Sequence, residues 1–308
     1  MTCRRSPQAA TLALLSLLLG ACNMNGFAAD QAGSIAAGSM SHMRGFWDYE
    51  IAGHGNAAGI MQLESLHGIS PQNEELALVL CASYIGYAFG WVEVAAEKAE
   101  DSEQYEAAAR ERARAEWLYR RARDLGLGVM RNRHEGIDAA LEQHPDQLRA
   151  YLREHYDDPE EDVAPLFWAA AGWGGLMAMS EDLSLAVDLP VIVTLVEHVL
   201  ELDETFEDGA ALVFLGGFNS QYPAQFGGSV EKGKEYFERA LKVTKRRAHQ
   251  VQLNYARLYA LTVNDRALFL SLLNEIIEAP DQGHDVRLAN KIARVRAELL
   301  LSKVDLLL

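Results

Sequence analysis

Cysteine is nearly absent from this chain, with three residues in 308. Cys3 and Cys22 flank an N-terminal apolar run, which leaves Cys81 alone in the body of the chain, in the stretch Leu76–Ala82. One thiol cannot close an internal disulfide, so no disulfide framework holds the fold. Cys81 reads as a small buried hydrophobe. Proline is also sparse, at 8 residues, and runs of β-branched residues are few. Only Val191–Thr194 resembles a strand, and it lies inside a longer helical pattern. Basic charge is the third deficit, with 28 Lys and Arg against 44 Asp and Glu. That imbalance excludes nucleic acid or an anionic lipid surface as the main partner.

Chemical motifs are missing as well. His134-Glu135 has no second His four residues on, so the zinc-protease spacing fails. No Cys-x2-Cys pair, phosphate-loop lysine or Gly-x-Ser-x-Gly elbow occurs. Gly53-His-Gly55 is followed by Gly59, one residue too late for a dinucleotide fingerprint. The acidic run Asp157–Asp162 lacks the glycine and terminal glutamate of a helix-loop-helix calcium site. Carboxylates there suit the start of a helix, at the positive end of its dipole. A non-enzymatic protein without cofactor or metal is expected.

What is present begins at the N-terminus. Arg4 and Arg5 precede the eleven-residue apolar run Ala9–Leu19. The run is too short to cross roughly 30 Å of hydrocarbon as a permanent helix. A charged start, a short apolar middle and a small-residue end make a secretory signal, assigned to residues 1–21. Leu19-Gly20-Ala21-Cys22 resembles the bacterial lipobox, in which Cys22 is the lipidated residue. Its acyl chains give a stable anchor, at about 0.8 kcal/mol per buried methylene. The exported domain is expected in the periplasm, and Asn23 in place of Asp favours the outer membrane. Without Arg4 and Arg5 the mature chain carries 26 basic and 44 acidic residues, a net charge of −18. Residues 22–45, rich in Gly, Ala, Ser and Asn, read as a flexible tether. No further apolar run reads as a membrane span.

From residue 46 to 308 the chain is dominated by Ala, Leu, Glu and Arg in helical periodicity. A helix of about 24 residues is expected over Glu74–Glu97. A second is expected over Glu106–Gly126, where Gly126 and Gly128 look like a stop. Small residues recur at hairpin positions. Ala256 and Tyr259 precede Leu268, Leu272 and Ile276, and Pro280 marks a turn. Leu215-Gly216 precedes Gly233-x3-Phe237-x2-Ala240, across a long link from Asn219 to Gly228. Ala171-Gly172 precedes Ile192-x3-Val196-x2-Val199, and the Ala82-Ser83 helix precedes Ala115-x3-Tyr119-x2-Ala122. Each hairpin alone cannot bury its apolar face, so the hairpins must stack. The expected fold is all-α: stacked helical hairpins in a degenerate tetratricopeptide-like solenoid. An unrelated helical bundle is the alternative.

Two stretches are candidates for ligand or partner binding. Trp168 and Trp173 stand among small residues of one helix, where core packing competes with ligand contact. Phe218, Asn219, Gln221, Tyr222 and Phe226 belong to a polar-aromatic loop, and an inserted loop in a solenoid usually serves a surface.

The motifs Trp168-Ala-Ala-Ala-Gly-Trp173-Gly, Phe214-Leu-Gly-Gly with Pro223 and Gly227-Gly228, and Glu231-x4-Glu235-Tyr-Phe-Glu-Arg-Ala240 resemble the T-component (TatT) lipoproteins of TRAP transporters. Asp265-Arg266-x2-Phe269-x2-Leu272-Leu273, Arg287-Leu-Ala-Asn290-x-Ile292-Ala-x-x-Arg-Ala297 and Leu118-Tyr119-x3-Arg123-Asp124 are similar too. The resemblance runs from about Ser65 to the C-terminus and includes the lipobox. It implies a homotrimer that docks a periplasmic solute-binding P-component. It also implies an internal pore or groove able to receive a small hydrophobic ligand. A general tetratricopeptide-like scaffold lipoprotein of envelope or outer-membrane assembly is the alternative function. A cell-wall enzyme would need carboxylates gathered in a cleft, and no pair stands out in the sequence.

Overall fold

The computed structural model describes the backbone from Pro7 and the side chains from Gly26 onward, Leu183 excepted. The signal segment and Cys22 thus fall outside the described side chains. Among the described residues there are helices and no strands. In chain order they are α1 (Pro7–Arg44), α2 (Tyr49–Ile69), α3 (Glu74–Tyr87), α4 (Glu93–Asp101), α5 (Tyr105–Arg133), α6 (Ile137–Leu141) and α7 (Pro145–His155). There follow α8 (Pro159–Met179), α9 (Leu189–Leu202), α10 (Phe206–Gln221), α11 (Val230–Val243), α12 (His249–Asn254), α13 (Arg266–Glu278), α14 (Arg287–Leu301) and α15 (Val304–Leu307). Two π-helical turns interrupt the regular pattern, Ala88–Val92 between α3 and α4 and Tyr255–Ala260 after α12.

Local chemistry sets the starts. Asp48 caps α2, Asn73 caps α3, Ser229 caps α11 and Asp265 caps α13, each accepting a backbone N–H of the first turn. Each such cap stabilises its helix by about 1 kcal/mol. The acidic run works as expected. Asp158 accepts from the backbone of Glu160 and Glu161, while Asp162 Oδ2 accepts from Asp158 N at 3.1 Å. This reciprocal arrangement satisfies donors that the first helical turn leaves free.

The hairpins form as the periodicity predicts, α3 with α5, α8 with α9, α10 with α11, and α12 and its π-turn with α13. Each shares its apolar face with the next. The tightest crossing joins α5 and α8. A Cβ on Gly126 would lie 2.7 Å from Ala169 N, and one on Gly172 would lie 2.6 Å from Arg123 N. Gly126 is therefore not a stop. α5 runs through it to Arg133, and its missing side chain admits the backbone of α8.

Two further expectations change. Residues 26–44, whose composition suggests a tether, are helical and rest on α3. Ala29 is buried, Asp30 accepts from Asn73 Nδ2 at 2.9 Å, and Ser34 Oγ donates to Glu75 at 2.8 Å. The same small residues that suggest flexibility let α1 lie close, since a Cβ on Gly33 would meet Leu76 Cβ at 3.3 Å. The continuous stretch Glu74–Asp101 is long and apolar enough to cross a membrane by composition, but 61% of its most apolar window is buried in the body. Its hydropathy reflects a core position, as at Cys81, which is fully buried and donates to Ala122 O at 3.3 Å.

The stack closes on itself. α14 returns to the N-terminal helices, where Arg287 donates to Gly45 O at 3.0 Å and Lys303 pairs with Asp101 at 3.0 Å. Arg44, at the end of α1, pairs with Glu207 at the start of α10. There Glu207, Asp208 and Gly209 all have positive φ, at 45°, 57° and 75°. That run turns the chain sharply and holds Phe206 against Trp168.

Candidate functional site

The closure places a charged centre between the first and last hairpins. Arg296 of α14 has a side chain only 1% exposed. Its guanidinium donates to Glu93 Oε2 at 3.0 and 3.1 Å, to Glu97 Oε1 and to the carbonyl of Phe89. It also lies 4.1 Å from the centroid of the Phe89 ring. Glu93 accepts a further hydrogen bond from the Tyr119 hydroxyl. Burial, and then the charge of Glu93, raise the Tyr119 phenol well above its ordinary value, so it stays protonated and acts as a donor. A desolvated guanidinium is tolerable only when it is paired in this way. One polar atom, Arg296 Nε, is left without a partner.

The π-turns build this centre. Ala88–Val92 carries Phe89 and exposes its carbonyl to Arg296, because π geometry shifts the local hydrogen-bond ladder. The turn is braced from α2. Tyr49 Oη donates to Gly90 O at 2.6 Å, and Trp91 Nε1 donates to Tyr49 O at 3.2 Å. A Cβ on Gly53 would lie 2.4 Å from the Trp91 indole, so only glycine admits that ring. Gly175 of α8 does the same for the Tyr119 ring, again at 2.4 Å.

The second π-turn, Tyr255–Ala260, carries Arg257. Its guanidinium carbon lies 5.8 Å from the Phe89 centroid, on the same ring that Arg296 covers. Burial, then the charge of Arg296, push its pKa down to about 10, so it remains protonated at neutral pH. Among the described residues it has neither a hydrogen bond nor an ion pair, while Glu93 and Glu97 are engaged by Arg296.

The residues singled out from sequence do not gather into one site. Trp168 meets Phe167 edge-on at 5.1 Å and Phe206 at 6.2 Å, and is half-buried in the core. Trp173, on another face of α8, donates from Nε1 to Asp188 Oδ2 at 3.0 Å, with Arg123 5.7 Å from its ring. Asn219 is buried, and its Nδ2 bonds to Leu215 O at 2.9 Å within its own helix. Phe218 and Tyr222 pack together at 5.4 Å. Gln221 and Phe226 face solvent, Phe226 at 61% exposure, and form a surface patch at the end of α10.

Sequence reasoning missed Arg296, Arg257, Glu93 and Phe89. A signal existed for the first of these. Ile292, Arg296 and Leu300 lie four residues apart on the buried stripe of α14, so an arginine occupies a core register. Glu93 likewise sits between the buried Val92 and Val94.

Another surface is distinctive. Beyond the exposed Glu50 in its first turn, the exposed residues of α2, Ile51, His54, Gly55, Ala58, Met61, Gln62, Ser65, Gly68 and Ile69, include no Asp, Glu, Lys or Arg. Trp47, just before the helix, is 64% exposed and Met61 69%. In a chain of net charge −16 such a face marks a contact surface.

Comparison with known proteins agrees with the motifs. An uncharacterized protein of Treponema pallidum (strain Nichols) is 25% identical over 244 residues, covering 79% of this chain and 75% of that one. The family model for the TRAP transporter T-component matches residues 47–308, nearly all of the helical body. The chain belongs to the TRAP transporter T-component family.

Proposed function

We propose that this protein is a lipid-anchored periplasmic accessory of a TRAP-type uptake system, which binds the solute-binding P-component and receives a small ligand in its interior. Family membership gives it an accessory role in such a system. The match over residues 47–308 carries the proposal, because it spans every hairpin that builds the closed stack.

The finer parts rest on particular residues. Cys22 behind Leu19-Gly20-Ala21 supports lipidation, and Asn23 supports the outer membrane as destination. The uncharged face of α2 supports self-association, which we assign to a homotrimer. The patch of Gln221, Tyr222 and Phe226 projects at the end of α10, apart from that face, and is the surface we assign to the partner protein. The internal pore or groove that the family resemblance implies is the space we assign to the ligand.

Affinity purification of the full chain from gently crosslinked membranes, followed by mass spectrometry, tests the proposal. A solute-binding protein of a TRAP system should be recovered with it, and Cys22→Ser should move the protein to the soluble fraction. Recovery of envelope-assembly machinery with no solute-binding protein would contradict the reading.

A further inference from the structure

We infer that the cleft where α12, α13 and α14 converge is an oxyanion site, which holds one phosphate or sulfate group between His249, Lys291 and Arg294. The cleft shares no residue with the charged centre around Arg296, the end of α10 or the exposed face of α2. The inference therefore stands independently of the function proposed above.

Size is the first observation. The cleft has a volume of about 80 Å³ and lies between the end of α13, the loop Ala279–Gln282 that follows it, and one face of α14. A water molecule takes up about 30 Å³ in the liquid, whereas pockets for drug-sized molecules run to roughly 300–1,000 Å³. The space suits an ion of a few heavy atoms and excludes an extended ligand.

Charge is the second. Arg287, Asn290, Lys291 and Arg294 recur at helical spacing on one face of α14, and all four line the cleft. Asp281 is the one acidic residue of the lining, against those three basic ones. It is already engaged, accepting from Arg287 Nε at 2.6 Å and from Gly283 N at 2.9 Å. Its ion pair is with Arg287, which leaves Lys291 without one among the described residues. Arg294 gives only Nε to Glu298, at 3.4 Å, and keeps both terminal nitrogens free. The lining thus carries a surplus of two positive charges in a chain of net charge −16. A cleft lined by one sign of charge concentrates counter-ions.

His249 supplies the third observation. It lines the cleft and is only 4% exposed. Its backbone N–H donates to Asn290 Oδ1 at 2.8 Å, which ties it to the same face of α14. Neither ring nitrogen has a hydrogen-bond partner among the described residues. A neutral imidazole always carries one N–H, and buried donors are normally satisfied. An oxyanion held between the ring and the two basic side chains gives that donor its acceptor.

The same features name the anion. A carboxylate brings one charge and two oxygens in a plane. A phosphate group carries a charge of about −1.5 to −2 at neutral pH, with three strong acceptor oxygens. It matches the surplus of two, and its oxygens spread widely enough to accept from groups on two helices at once.

Equilibrium dialysis of the full chain against radiolabelled inorganic phosphate, at fixed ionic strength, tests the inference. One phosphate should be retained per chain. Unlabelled sulfate should displace it, while acetate should need about ten times the concentration or more. Arg294→Gln and Lys291→Gln should each weaken retention about 10-fold or more, the loss expected for a hydrogen bond to a charged group. His249→Leu should weaken it as well, with every charge intact. Circular dichroism of each variant should show that it folds. Lys242→Gln, exposed on α11 outside the cleft, should change nothing. Glycerol 3-phosphate as competitor separates two sources of the same group. Displacement as strong as that by phosphate would assign the site to a phosphomonoester such as a lipid headgroup, and displacement about ten times weaker would assign it to the free ion. Retention unchanged in Arg294→Gln and Lys291→Gln, or lowered equally by Lys242→Gln, would overturn the site. So would acetate competing as well as sulfate, or no saturable retention up to about 10 mM phosphate.

Discussion

Replacing Arg296 by Met should cost this protein a large share of its stability. The substitution keeps length and apolar bulk but removes the charge and every hydrogen bond the guanidinium makes. Glu93 would remain buried with only the Tyr119 hydroxyl as partner, and the Phe89 carbonyl would lose its donor. Breaking one partner of a buried ion pair costs about 3–5 kcal/mol, because the other charge stays uncompensated. The cation–π contact with Phe89, at 4.1 Å, adds about 1 kcal/mol. Typical domain stability is about 5–15 kcal/mol, so the urea midpoint should fall by about a quarter or more. Urea unfolding followed by circular dichroism measures this directly. The double variant Arg296→Met, Glu93→Gln should recover part of the loss, since the orphaned carboxylate is then gone. A single-variant loss under about 1 kcal/mol would refute the reasoning, because it is the range of an exposed pair. So would a double variant weaker than the two single effects added together.

Other consequences follow from the same geometry. Gly172→Ala should lower stability by about 1–3 kcal/mol, because its Cβ would meet the backbone of α5, while Gly55→Ala, in open space on α2, should be neutral or stabilising in the same melting experiment. Burial lowers the pKa of His249 below its ordinary value of 6.5, so the fold favours the neutral ring. Its contribution is present above pH 6.5 and is lost as the pH falls from there through the lower folded value. The difference in urea midpoint between pH 7.5 and pH 5.5 should therefore shrink in His249→Gln. Burial pushes the Cys81 thiol up to about 12, so peptide mapping after maleimide treatment at pH 8 should find it unlabelled in buffer and labelled in urea.

Much of the fold was legible because it is written in local periods and caps. Asp158 and Pro159 announce α8, and the small residue at Gly233 announces its close approach to α10, where a Cβ would lie 2.3 Å from Ser220 Oγ. Gly126 misled because a glycine that ends a helix and one that admits a neighbour look alike in sequence. Residues 26–44 misled for a similar reason, since Gly, Ala and Ser serve a tether and a close helix contact equally well. The site was less legible. Trp168 and Asn219 have the composition of a binding surface but spend it on packing and on an intrahelical bond. The charged centre joins residues about two hundred positions apart, Glu93 to Arg296, and no local period reveals such a pairing. Only the charge in a buried register of α14 hinted at it.

The accessory role in TRAP-type uptake stands or falls on one contact. The purified chain, titrated against the purified solute-binding protein of the TRAP system from the same organism, gives that test by sedimentation or biolayer interferometry. Saturable binding with a Kd of about 10 μM or tighter, weakened when Tyr222 and Phe226 are replaced by Ser, is the expected result. An absence of saturable binding by the folded, unaltered chain, with and without solute, would contradict it.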